Sequence, residues 1–277
     1  MSYIIKLLES NVKLSRRDLL KIISAFYVLP TFSMKQSQLN FTNTLDNIIV
    51  ESDYPSISDD EISQLRLQAE REYKKISEFL GRRYEGTIKI ELSASYKIPK
   101  ANIKEGPRMG VIEMPIAHVL EGLHPFAHEL SHLISNEYNM RRYLTEGLAV
   151  YMQEQFGENH VSPNFGENLH SAFYEYGLNN GTLKIPMADL TSILNFDAFN
   201  EQEKKTIYLQ AGSFVKYLIE IVARNVNQFM KFYQEGDYKH HFGKGLQELE
   251  SDWLNYVRIS GVKNKPKKAF KTPTFKY

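Results

Sequence analysis

The chain contains no cysteine. That excludes disulfide staples, thiolate metal sites and anchoring through a lipid-modified cysteine, and it leaves the redox compartment open. An excess of charge of one sign is also missing. Lysine and arginine number 34 against 33 aspartates and glutamates, a formal net charge of +1, so there is no bulk electrostatic case for nucleic acid. Long apolar runs are lacking as well: residues 22–29 are too few to cross a bilayer as a stable helix. No internal repeat is visible. Tryptophan occurs once, at Trp253, and reads as a core anchor. What remains is an ordinary globular composition over 277 residues, enough for one sizeable domain or two modest ones.

Against this background one stretch carries chemistry: His128-Glu129-Leu130-Ser131-His132, the pattern HExxH. On an α-helix, positions four apart share a face, so both imidazoles can reach one Zn²⁺ at roughly 2.0–2.1 Å. Glu129 is turned away from the ligand pair and is placed to act on a water at the metal rather than to bind it. Pro125 suits the first helical position, where its missing N–H costs nothing. Ala127, Leu130, Leu133 and Ile134 supply the apolar stripe. His124 and His128 are also four apart, but Pro125 leaves His124 at or before the helix cap, pointing elsewhere.

A catalytic zinc usually has three protein ligands and an open position. The stretch Arg142-Tyr143-Leu144-Thr145-Glu146-Gly147-Leu148-Ala149-Val150-Tyr151 reads as a second helix with Glu146 inside a largely apolar run. Carboxylates are rarely buried unless paired or bound to a metal, so Glu146 is the third-ligand candidate. Its alternative is an ordinary first-turn glutamate near a positive helix end. Gly147 would let the backbone of a neighbouring element come close, as packing against the HExxH helix needs.

HELSH followed by YLTEGLAVY resembles the gluzincin zinc peptidases, and within them the peptidase MA-like families, with HExxH, a short spacer and then W-L-x-E-G-L-A-x-Y. Tyr143 stands where these families often have Trp. Val150 stands where thermolysin-type enzymes have an Asp that orients the first histidine, so that partner is unassigned. A metzincin pattern fails, because it needs Gly and His where the chain has Ser135 and Tyr138. The segment 207–218 resembles the family's Y-x-x-A-x-S-F-V-x-Y-L helix, and 243–253 its G-x-x-L-x-E-L-E-x-x-W helix.

The resemblance implies an α+β, zincin-like fold: a small N-terminal sheet with an edge strand beside the active-site helix, then a mostly helical C-terminal part. It implies zinc held by His128, His132 and Glu146, with Glu129 as general base in hydrolysis of a peptide or protein substrate. Tyr208 matches a family position facing the site and is the candidate donor to the oxyanion; His170 is the alternative. Residues 109–114 are a strand candidate closed by Pro115, and the resemblance makes it the edge, so that Gly110, Val111 and Ile112 would pair with extended substrate. An ordinary sheet strand is the competing reading. The rival function is a zinc-binding interaction module without catalysis, against which the intact Glu129 argues.

The remaining signals organise the chain. Ser15-Arg16-Arg17 followed by the apolar run 22–29 resembles a twin-arginine export signal, with 31–33 as a weak cleavage site, giving a leader over 1–33. Export to the periplasm or beyond is the expectation and a cytoplasmic enzyme the alternative. Ser58 and Glu61 form a capping box ahead of a helix with Ile62, Leu65, Ala69, Tyr73, Ile76 and Phe79 on one face, stopped by Gly81. Residues 47–51 and 87–92 read as strands, 157–167 as a loop, and 186–190 as a turn into a short helix. The catalytic domain is expected over 34–262, with a lysine-rich tail over 263–277.

Overall fold

The structure is a computed structural model that describes residues 47–103, 109–135, 141–179, 185–190, 199–223 and 225–263. The expected leader, with its twin arginine, and residues 264–277 lie outside the described residues. The chain is α+β, with a mixed four-stranded sheet near the N-terminus followed by helices. Strand β1 (Ile48–Ser52) leads into helix α1 (Asp59–Leu80). The capping box forms as expected: Glu61 N–H donates to Ser58 Oγ at 3.3 Å, and Ser58 N–H donates to a Glu61 carboxylate oxygen at 2.8 Å. Gly81 ends the helix in the left-handed region, at φ 65°. Leu65, Ala69, Tyr73, Ile76 and Leu80 bury one face of α1. That helix is the crossover that lets β1 run parallel to β2 (Thr87–Ser93).

Strand β4 (Met109–Pro115) runs parallel to β2 on one side and antiparallel to β3 (Lys100–Ile103) on the other, giving the order β1-β2-β4-β3. The expectation that 109–114 is the sheet edge is therefore wrong. Ile112 pairs with Ala101 and Gly110 with Ile103, so the hydrogen-bonding side expected to take substrate is already occupied. Val111 and Ile112 are buried in the core. A Cβ on Gly110 would meet Leu133 Cδ1 at 2.8 Å, so this glycine makes room for the HExxH helix instead of presenting backbone to solvent.

Next come α2 (Ile116–Leu120), α3 (Phe126–Ser135) and α4 (Arg142–Phe156). The loop over 157–167 is followed by α5 (Leu169–Phe173), which widens to π-helical turns over Tyr174–Asn179, and by α6 (Met187–Leu190). Then α7 (Glu201–Tyr217) continues as a π-helical stretch, Leu218–Val222. The chain goes on through α8 (Val226–Glu235), α9 (Tyr238–Phe242) and α10 (Leu246–Lys263). Among the described residues no helix is long and apolar enough to cross a membrane.

Helices α4 and α7 are pressed together. A Cβ on Gly147 would stand 2.6 Å from the Ala211 carbonyl oxygen, and one on Gly212 would stand 2.6 Å from Val150 Cγ1. Gly147 thus serves a close backbone approach, but to α7 and not to the HExxH helix. Along the same seam Lys216 Nζ sits 2.8 Å from Glu154, with both side chains under a tenth exposed. Leu169 N–H also donates to Glu154 Oε1 at 2.8 Å, which satisfies the buried carboxylate further. Trp253 is the core anchor expected: it stacks on Phe173 at 4.9 Å, meets Phe214 edge-on, and donates from Nε1 to Ser213 Oγ at 3.0 Å.

Because Ala211 O is backbone and cannot swing aside, Gly147→Ala should force α4 and α7 apart. We expect a loss of roughly 1–3 kcal/mol, the usual range for overpacking, read as a lower urea midpoint at unchanged m-value. An unaltered midpoint would show that the seam is looser than described.

Candidate metal centre

The HExxH segment is helical because its apolar stripe meets the sheet and α1 together: Phe126, Ala127, Leu130, Leu133 and Ile134 are all buried. Pro125 lies one position earlier than expected, outside the helix, where its carbonyl accepts Glu129 N–H at 3.2 Å. The other early N–H groups need partners, as at any helix start. They are met from distant elements. His128 N–H donates to Gln153 Oε1 of α4 at 3.1 Å, and Gln153 Nε2 is itself tied to the Asn159 carbonyl. The Ala127 N–H faces the carboxylate of Glu72 on α1 and helps to draw its pKa down. Glu72 is fully buried and also accepts from Gln68 Nε2 at 2.8 Å and Glu158 N–H at 2.9 Å. Burial pushes its carboxyl up to about 7, against the pull of these hydrogen bonds.

With that helix fixed, His128, His132 and Glu146 converge. Both imidazole Nε2 atoms face the same carboxylate oxygen, Glu146 Oε2, at 3.4 and 3.6 Å. The rings lie 4.8 Å apart and almost perpendicular. One ligand atom from each of the three residues lies within 4.8 Å of the other two, and the group could hold a metal ion. Ligands at about 2.0–2.1 Å in a tetrahedral shell stand roughly 3.3–3.4 Å from each other, so the two measured separations need shifts of only tenths of an ångström.

Glu146 is the buried carboxylate that its apolar setting suggested. Burial alone would raise its pKa. The neighbouring imidazoles of His132 and His128 outweigh that and hold it well below the usual carboxylate range. Conversely, burial would lower His132, but the charges of Glu146 and Glu129 carry it upward. Glu129 is buried beside the pair and is not among the converging ligands. The other oxygen of Glu146, Oε1, faces Arg142 Nε at 3.6 Å.

Tyr208, on α7, brings its ring to 6.4 Å from that of His128. Burial, reinforced by the charges of Glu146 and Glu129, raises its phenol well above the ordinary value, while Arg142 opposes the rise through its charge and a hydrogen bond. The hydroxyl therefore stays protonated and is a donor. Arg142 is the residue that sequence reasoning passed over. Its signal was available: a cation four residues before Glu146 on one helix face. Glu72 and Gln153 gave no such signal, because they act across the fold.

The other candidates do not join the group. His124 lies outside the helix, with Nε2 3.1 Å from Gln68 Oε1 and its ring 4.6 Å from Phe126, and burial lowers it to about 4. His170 is a core residue: Nδ1 bonds Ser213 Oγ at 2.8 Å, its ring meets Tyr256, and burial lowers it to about 3. Gly110, Val111 and Ile112 are interior strand positions, as described above.

Compared with family models, with curated proteins and with solved structures, the chain matches none of them.

The buried Glu72 gives a pH signature. Its folded pKa of about 7 lies above the ordinary 4.5, so the folded state holds an extra proton across that window and stability falls as pH rises through it. Glu72→Gln removes the titration. Its stability relative to wild type should grow between pH 5 and pH 8, by up to roughly 3 kcal/mol. Denaturant melts at both pH values measure this; a pH-independent difference would remove Glu72 as the titrating group.

Proposed function

We propose that this chain is a zinc-dependent metallopeptidase of zincin-like, peptidase MA-like type. The observation that carries the reading is one carboxylate, Glu129, beside a separate His-His-Glu donor set. Two imidazoles and a carboxylate with no thiolate suit a catalytic zinc with an open position. Zinc bound there supplies Lewis acidity, lowering the pKa of a water toward about 7 and polarising a carbonyl.

The chain's own residues do the rest. His128, His132 and Glu146 hold the ion, and Arg142 restrains the far oxygen of Glu146 so that Oε2 faces the imidazoles. Glu129 takes the proton of the attacking water and passes it to the leaving amine. Tyr208, kept protonated, donates to the oxyanion as it develops. The place of residues 110–112 in substrate binding passes to β3, whose outer side is the open edge next to the HExxH helix. Ile103 on that strand and Ile98 just before it are 41% and 63% exposed, an apolar surface for an extended peptide. The basic pair Arg16-Arg17 ahead of its short apolar run supports export of the folded enzyme.

Purified protein should carry zinc that His132→Ala removes, and full occupancy in that variant would overturn the ligand set. Glu129→Gln keeps the shape and removes the base. Zinc content should stay near wild type while cleavage of a broad peptide library drops roughly 10²–10⁴-fold. A variant that cleaves as well as wild type would sink the peptidase reading and favour a zinc-binding interaction module.

Tyr208→Phe separates a donor from a packed ring. A contact made mainly in the transition state should lower kcat roughly 10²–10³-fold with little change in KM. Unchanged kcat would leave Tyr208 as packing alone.

A further inference from the structure

A second set of metal-ligating side chains gathers at the turn between α8 and α9, on different elements from the first. Glu235 ends α8, Gly236 reverses the chain at φ 70°, and Asp237 caps α9 by accepting His240 N–H at 2.9 Å. Two adjacent imidazoles follow. One ligand atom from each of Glu235, His240 and His241 lies within 4.8 Å of the other two.

One of these ligands is held firmly. The His241 side chain is only 8% exposed, yet its Nε2 stands 2.8 Å from Glu235 Oε2. Its ring meets Phe232 and Phe242, and its carbonyl accepts Gln228 Nε2 at 2.9 Å. The His240 ring stands 4.8 Å away, nearly perpendicular and exposed, and with the ligand atoms within 4.8 Å of one another a swing of at most about 1.5 Å would bring its nitrogen into a shell with edges of roughly 3.3 Å. Glu235 is 56% exposed, which keeps the remaining coordination positions open to water.

We propose that Glu235, His240 and His241 form a second, solvent-open site for a divalent transition metal of the zinc, nickel or copper class, for which imidazole-rich donor sets are suited. The turn is not isolated from the first site. Arg141 Nη1 donates to the Gly236 carbonyl at 2.8 Å, and the guanidinium lies 5.7 Å over the Tyr238 ring. The Tyr143 and Tyr238 hydroxyls are hydrogen-bonded to each other. Arg141 and Tyr143 flank the start of α4, the helix that carries Glu146, so an ion at this turn stiffens the surface against which that helix start rests.

The test uses the full chain, stripped with chelator and titrated with zinc chloride, with bound zinc counted after equilibrium dialysis. His240→Ala with His241→Ala should bind one equivalent fewer than wild type at free zinc of about 10 µM, and Glu235→Gln should weaken that equivalent by roughly tenfold or more. Both variants leave His128, His132 and Glu146 intact, so the difference stands whether or not the first site fills. His128→Ala with His132→Ala should keep the equivalent that the other double variant loses. Equal zinc uptake by wild type and the His240/His241 variant overturns the proposal, as does an extra equivalent that binds only above about 1 mM, the mark of adventitious surface binding. Circular dichroism checks folding; should the double variant unfold, Glu235→Gln alone decides.

Discussion

Glu146 is a carboxylate in a place that water barely reaches, and the groups packed around it keep it charged. A lone anion there would be neutralised by protonation. Instead its two oxygens divide their duties: Oε2 faces both imidazoles and Oε1 faces Arg142. Each neighbour has its own support. The imidazoles rest on a helix pressed onto the sheet and α1. Arg142 lies on the same helix as Glu146, one turn earlier. That helix is in turn fixed by the glycine seam with α7 and by the buried Glu154–Lys216 pair, whose loss would leave a charge stranded between helices.

The same arrangement explains why Tyr208 faces the site. It projects from α7, and α7 can stand that close to α4 only because Gly147 and Gly212 carry no side chain. Distance between helix axes, set by two missing side chains, decides whether the phenol reaches the neighbourhood of His128.

What could be read in advance was what local chemistry dictates. Ser58 and Glu61 cap each other within one turn, Gly81 takes the left-handed conformation that ends α1, and the HExxH histidines share a face through helical spacing alone. What could not be read depends on partners far along the chain. Strand 109–115 looks the same in sequence whether or not a neighbour covers it. The neighbour that does, β3, has only four residues, partly exposed and without an alternating apolar pattern. Gly147 announced a close approach without naming the helix that makes it. His170 stood as an alternative oxyanion donor because nothing nearby in sequence foretells that Ser213 takes up its Nδ1 in the core.

The way the HExxH helix begins has a further consequence. The His128 amide hydrogen is met by Gln153 and that of Ala127 faces Glu72, residues that lie on either side of that helix in sequence and on separate helices. A helix that borrows its cap from elsewhere gains little order by itself, since ten-residue helices are marginal in isolation. The common orientation of its two histidines therefore depends on α1 and α4 being docked. A newly made chain would present scattered, weakly chelating imidazoles, and high-affinity metal capture would begin only at the end of assembly. An ion held at the proposed site would then mark finished molecules and be withheld from half-built ones.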